Sequence, residues 1–399
     1  MNAPIIRESS KVIRISELRL ATRDSETPAN RSTQECNEES TTKDEPVEAR
    51  NYGWILHPVI DLLFCCGGLV WILFAIHYFV LGPHSANIQV QTLLTVSALG
   101  TIFLGETHTV ASLVRLYGEE RFQKNFSLYT YLIPLALSAL TLVACQNKDL
   151  PPIMAKIYLL IVSQHFTKQT YGIVLLYCMK RNFKMGAVDK RLLACLMQAT
   201  MVFAIVRQLT FRSWSGEEFL GQKIPFWGPL PEWIFIACSI WLTVAAIAFL
   251  ARLIYRYQIK NEIFPLPAMM LTLTGVAIFV CGSNLTGTLW LYVPAFFHGS
   301  QYLVVTTSVY LKEQGALTNV PPNKTYTLLT QRKAFRYFGF LVIAGITLFI
   351  GIPHILQQFG FNYLMAVTAI FTTVQFHHVI VDHAIWRMKD KGTRELLLA

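Results

Sequence analysis

The residues of this chain best suited to chemistry are imidazoles and carboxylates set in apolar sequence. The densest run is Gln375-Phe376-His377-His378-Val379-Ile380-Val381-Asp382-His383. Further groups are Glu106-Thr107-His108, Gln164-His165 followed by Lys168 and Gln169, His298 with Gln301, and His57 with Asp61. Imidazoles joined by one or two carboxylates suit iron, manganese, copper or zinc. Inside hydrocarbon such groups are costly, so they pair, line a wet cavity or hold an ion. On a helix His378 and Asp382 stack on one face, as do His165 and Gln169, while His298 and Gln301 lie one turn apart. At ~100° per residue His377 and His383 take other azimuths. His383, nearest the end of its segment, is therefore the expected outlier of the three.

The elements that position these groups are long and apolar. The 399 residues are 53% hydrophobic and only 15% charged, against roughly 25% charged in soluble domains. Ten stretches, near 58–81, 91–114, 128–146, 152–178, 192–210, 232–255, 265–282, 287–311, 336–356 and 362–386, are long enough to cross ~30 Å of hydrocarbon as helices. The expected fold is an all-α, polytopic membrane helix bundle of about ten spans. Residues 1–50 mix acids, bases, Ser, Thr and Asn with few aromatics, and read as a disordered cytoplasmic tail ahead of a transmembrane domain over 51–399. They carry no signal-peptide pattern. The net charge of +10 resides in short loops, where it sets orientation and does not speak for nucleic acid. Of the 34 Lys and Arg, 28 fall on one side of the ten stretches, three on the other, and Lys156, Lys168 and Arg207 within them. That asymmetry predicts both termini in the cytoplasm, and the expected location is a bacterial inner (plasma) membrane. Seven of the eight cysteines lie in or beside apolar stretches and read as buried apolar residues.

Counting depth at ~1.5 Å per residue sorts the histidines. Seven of ten, with Asp61, Glu106 and Asp382, fall in the cytoplasmic half, and packing alone favours neither leaflet. The expected metal set is His108, His165, His298, His377, His378 and His383. Glu106, Lys168 and Asp382 are the expected catalytic or orienting groups, Arg115, Gln169 and Gln301 the expected substrate contacts, and His57 with Asp61 a further floor. The loop 211–231, with Trp214, Phe226, Trp227 and Trp233 at its edge, reads as an interfacial aromatic anchor or cap. The loop 312–335 is polar, with Pro321-Pro322, and reads as a substrate-entry or partner surface.

Phe376-His377-His378, Asp382-His383 and Phe297-His298-Gly299 resemble stretches of the histidine-rich integral-membrane iron oxygenases and desaturases, bacterial carotene-cleaving dioxygenases included. The HxxxH and HxxHH boxes, HExxH and Pro-His-Gly-x-x-Asp-His are absent, so no ligand position is carried over. The resemblance implies a membrane-embedded, histidine-held iron. The expected function is thus a metal-dependent oxidoreductase, oxygenase or desaturase in type, acting from the cytoplasmic leaflet on a lipid or isoprenoid-like substrate, with an electron-donor protein as partner. Four alternatives stand beside it. One is an ion- or proton-coupled transporter relaying through Asp61, Glu106, Lys168 and Asp382, and another a haem held by His165 and His298. The others are an acyltransferase with His298 as base, and a scaffold in which each histidine bonds a neighbouring helix.

Overall fold

The computed structural model describes residues 53–215, 218–281, 288–314, 332–386 and 390–398, within the compact unit Arg50–Ala399. The 1–50 tail and most of the 312–335 loop lie outside the described residues. Apart from a two-strand hairpin the described chain is helical. Its helices are α1 (Pro58–Cys65), α2 (Gly68–Leu81), α3 (Gln91–Gly118), α4 (Glu120–Asn125), α5 (Leu128–Gln146) and α6 (Leu150–Lys180). There follow α7 (Ala187–Thr210), α8 (Arg212–Ser215), α9 (Glu232–Lys260), α10 (Leu266–Val280), α11 (Thr288–Glu313), α12 (Arg332–Gln358), α13 (Tyr363–Ile385) and α14 (Lys391–Leu398). Among the described residues six helices, α3, α5, α7, α9, α12 and α13, are long and apolar enough to cross a membrane, or seven if α1 and α2 form one broken span. The bundle is therefore that of a multi-pass membrane protein. Helix α10, at 15 residues, is short for a span.

The α1–α2 break bends the chain by 59° at Gly67, whose φ of +88° favours glycine. A Cβ there would sit 2.3 Å from the Thr274 side chain. Backbone groups freed inside a bilayer must find partners within the protein, and they do. Thr274 Oγ1 donates to the Cys66 carbonyl (3.0 Å), and Ser300 Oγ to that of Phe64 (2.7 Å). Asp61 accepts the Ile55 and Leu56 amides (2.6 and 3.1 Å) and the Tyr177 hydroxyl (2.8 Å).

At the centre, α3, α11, α6 and α13 form a closed ring in that order, each packed on the next. Helix α12 covers α3, α5 covers α13, and α10 and α7 cover α6, with α9 outside α7. The exposed faces of α9 and α5 are rows of large apolar residues such as Ile236, Ile240, Val244 and Ile247, or Leu128, Leu132 and Leu135, as lipid-facing helices require.

Candidate metal centre

Each helix of the ring turns one imidazole inward: His108 from α3, His298 from α11, His165 from α6 and His378 from α13. Taken round the ring, neighbouring ring centroids lie 4.9, 4.6, 5.0 and 4.8 Å apart, and His298 and His378 face each other at 5.9 Å. A ligating nitrogen sits about 2.1 Å from its ion, which puts ring centroids about 3.2 Å out. Two ligating rings are then about 4.5 Å apart at a right angle and about 6.5 Å apart when opposed. These five separations fall within that span. Nε2 of His165 and Nε2 of His378 lie 3.2 Å apart, the separation of two atoms about 2.1 Å from one ion at roughly 100°.

Close helix approach makes the convergence possible. A Cβ on Gly299 would lie 2.4 Å from the Leu104 carbonyl oxygen and 3.1 Å from His108 Nδ1, so only glycine lets α11 bring His298 against α3. Just before His108, the 101–106 segment is wound in wider turns with i→i+5 bonds, a distortion that recurs at functional sites. There Thr107 Oγ1 donates to the Ile102 carbonyl (2.7 Å).

Hydrogen bonds assign two of the ring tautomers. Nδ1–H of His108 donates to the Leu104 carbonyl (2.9 Å), leaving its Nε2 as a lone pair. Ser112 Oγ directs its one hydrogen to the Tyr302 hydroxyl (2.6 Å) and Asp382 Oδ1 (2.9 Å) and so accepts Nδ1–H of His378 (2.7 Å), which leaves that Nε2 as a lone pair 3.2 Å from His165 Nε2. Tyr302 OH also donates to Asp382 Oδ1 (2.8 Å) and accepts the Trp386 indole N–H (2.8 Å). With Oδ1 so held, Oδ2 stands 3.6 Å from His378 Nε2 and 3.7 Å from His165 Nε2. Partners of this kind orient ligating rings and raise their basicity. His298 differs: it is 1% exposed and neither ring nitrogen has a hydrogen-bond partner. A buried imidazole with both nitrogens unpaired is costly unless a ligand takes one. The donor sets His108–His298–His378 and His165–His378–Asp382 each have their ligand atoms within 4.8 Å of one another, so the residues fit an ion.

Other expected site residues stand elsewhere. Glu106 lies two residues before His108, about 200° round the helix, and packs against α12, its Cβ 3.4 Å from where a Cβ on Gly345 would be. Lys168 is exposed beside Gln164 on the outward face of α6 with Ile157 and Ile161. His377 donates Nε2–H to the Tyr129 carbonyl (2.8 Å), clamping α13 to α5, and His383 is exposed. Arg115 is held by Glu313 (3.2 Å) and Glu119 (3.5 Å) and lies over Trp386 at 4.4 Å. Gln169 donates to the His298 carbonyl (3.0 Å) and to Gln301 Oε1 (3.1 Å), so this amide pair braces α6 against α11 behind the histidines. His57 caps α1 by accepting the Val59 amide (3.3 Å), and Asp61 is occupied as described above.

A cavity opens from the four histidines, walled by Tyr158, Val162, Phe166, Phe296 and Phe371. Its volume for water centres is about 60 Å³, several times the ~10–15 Å³ one water needs. Its lining also takes in Arg207 and Gln208, in the last turn of α7, and Trp214, where the chain enters the 211–231 loop. The 211–231 loop roofs it: the hairpin β1 (Glu218–Phe219) and β2 (Gln222–Lys223) buries Phe219 against Tyr158 and Phe371. The aromatic loop is thus a cap with an inward face. Ser112 had no counterpart in the sequence reading, which gave Tyr302 and Arg207 no role.

Comparison with family models, with curated proteins and with solved structures finds no match.

Proposed function

We propose that the chain is a membrane-embedded, metal-dependent oxidoreductase of oxygenase or desaturase type acting on an apolar chain. The carrying observation is His298, a buried imidazole with no partner at either nitrogen, ringed by three further imidazoles and one held carboxylate in the wall of a mostly apolar cavity. His108, His165, His298 and His378 would hold the ion, with Asp382 Oδ2 as a fifth donor or a hydrogen-bond acceptor beside it. Iron suits this donor set and the resemblance noted above; manganese, copper and zinc share its ligands. When bound, such an ion supplies one-electron or Lewis-acid chemistry. The protein's share is to exclude water with Phe166, Phe296 and Phe371, and to lay the chain along the cavity against the histidines.

The reading retains ten spans with both termini cytoplasmic. Beside the six apolar helices and the broken α1–α2 pair, the count takes in the short α10 together with α6 and α11, whose His165, Gln169, His298 and Gln301 meet at the ring. The histidines are then in the cytoplasmic half, and the cavity runs from them toward the outer surface. Tyr302 and Trp386 lead from Asp382 to Arg115 and Glu313, the side from which an electron-donor protein would approach. The haem alternative is disfavoured by crowding. Axial imidazoles across one iron have centroids about 6.4 Å apart with a porphyrin between them, whereas His165 and His298 are at 4.6 Å.

Elemental analysis of protein purified without added metal tests the proposal. About one equivalent of iron, manganese, copper or zinc per chain is expected, lost in His298→Ala. Less than roughly 0.1 equivalent in the intact protein, after reconstitution with each ion, would overturn it.

A further inference from the structure

The cavity has two poles, and only one belongs to the histidines. At the other, α7 presents Arg207 and Gln208, which are 7% and 5% exposed. The guanidinium lies over the Trp214 ring at 3.7 Å, with Phe203 beneath at 5.3 Å. Its Nε has no hydrogen-bond partner, and no carboxylate among the described residues pairs with it; Glu217 lies outside them. Gln208 Oε1 is likewise buried and unpartnered. Both side chains line the cavity. A buried cation without a counter-ion costs several kcal/mol, so its retention calls for an anion.

The chemistry of that anion can be narrowed. A planar guanidinium stacked on an indole keeps its edge free and presents parallel N–H donors, which match a carboxylate in a bidentate pair. The Gln208 amide can turn either its oxygen or its N–H₂ to such a group. Between the poles, Tyr158 to Phe166 along α6 spans about 12 Å at 1.5 Å per residue, and the wall there is aromatic and aliphatic. The roof closes over the polar end: Lys156, fully buried, donates to Ser215 Oγ (2.7 Å) and ties α8 to α6.

We infer that Arg207, with Gln208 and Trp214, forms a carboxylate-binding pole that holds an amphiphilic carboxylic acid with its apolar chain directed at the four-histidine centre. This rests on the metal-centre reading for its catalytic meaning, though not for the binding itself. It also leaves Arg115, an expected substrate contact, and Lys168, an expected catalytic group, outside the anion's site. Lys168 faces outward and Arg115 is taken up by Glu119 and Glu313.

The test is head-group discrimination by the full chain in lipid nanodiscs. Octanoate, 1-octanol and octylammonium are titrated calorimetrically, with protein-free nanodiscs as blank. Octanoate is expected to bind at least about tenfold tighter than octanol, and octylammonium not measurably. In Arg207→Gln octanoate falls to the level of octanol, octanol itself is unchanged, and metal content stays at the wild-type value. Arg207→Lys retains part of the discrimination, as a point charge without the fork. Wild-type protein that binds octanoate and octanol alike overturns the inference, and so does Arg207→Gln protein that still discriminates. If Arg207→Gln does not fold, the wild-type comparison and Gln208→Leu decide, the latter expected to weaken octanoate at least about threefold and octanol not at all. Failure of the two readings separates cleanly. Selectivity that persists in protein devoid of metal leaves the carboxylate pole standing without the metal centre; full metal without selectivity removes the pole alone.

Discussion

Ser112 Oγ is fully buried and joins three site residues, with His378 Nδ1 at 2.7 Å, the Tyr302 hydroxyl at 2.6 Å and Asp382 Oδ1 at 2.9 Å. Replacing it with alanine removes the acceptor that holds the His378 ring with its Nε2 toward the other imidazoles. Loss of such an orienting partner typically lowers metal affinity 10- to 100-fold, or about 1.4–2.8 kcal/mol at 1.4 kcal/mol per decade. Stability should fall by about 1–3 kcal/mol as well, since His378 Nδ1–H is left without an acceptor. The lower half of that range is expected, because Tyr302 still donates to Asp382 (2.8 Å). Metal affinity is to be read by chelator competition on detergent-solubilised protein, and stability by thermal unfolding of the chelated form. Thr109→Val is the control: Thr109 is equally buried on the same helix and accepts from Gln375 (3.0 Å), away from the histidine nitrogens. It should lower the melting temperature comparably and leave metal affinity within about twofold. Ser112→Ala protein that melts lower yet holds its metal with wild-type affinity would refute the orienting role. Equal loss of affinity in Thr109→Val would show that binding simply tracks global stability.

Three further changes probe other parts of the argument. His298→Leu should abolish metal retention while raising the melting temperature of the metal-free protein, because removing two unpaired buried nitrogens relieves about 1–2 kcal/mol; a lower melting point in the chelated form would contradict it. Gly299→Ala should cost about 2–4 kcal/mol and weaken metal binding together, since its Cβ would press on the carbonyl that accepts His108 Nδ1–H; thermal unfolding and chelator titration of one preparation test the coupling. Arg115→Met should destabilise by about 1–3 kcal/mol through the loss of Glu313 and of the Trp386 stack. That figure lies below the value for a fully buried pair because the Glu313 side chain is 32% exposed. Its metal content and octanoate affinity should be those of the wild type.

Position along each helix was legible in the sequence and azimuth was not. Rise per residue is nearly constant, so counting along apolar stretches grouped seven histidines in one half of them, and the ring brings four of these, His108, His165, His298 and His378, together. Direction about each helix depends on which neighbour packs against which face, and no single-chain pattern states that. Glu106 and His108 share a depth yet look opposite ways, one toward α12 and one into the ring. Lys168 shares a helix with His165 but belongs to the outward face with Gln164. His377, adjacent to a ring member, necessarily points elsewhere and found the Tyr129 carbonyl. The i,i+4 spacing of His378 and Asp382 did carry azimuth, and that pair stands together.

The residues that escaped notice share a different cause. Ser112 sits in Thr107-His108-Thr109-Val110-Ala111-Ser112, where a hydroxyl bonding its own helix and one reaching across to another look alike. Arg207 falls at the end of an apolar stretch, the position where a basic side chain ordinarily snorkels to water. Only tertiary structure shows it folded inward beneath Trp214. Hydropathy fails most where the site is densest: α6 and α11 carry His165, Gln169, His298 and Gln301, and neither is apolar enough to count as a span by composition. Those four polar groups meet at the ring, which is a condition under which a bilayer tolerates them, while Gln164 and Lys168 lie on the outward face of α6. In a bundle of this kind, an interior helix that scores poorly as a span is therefore itself a pointer to the site.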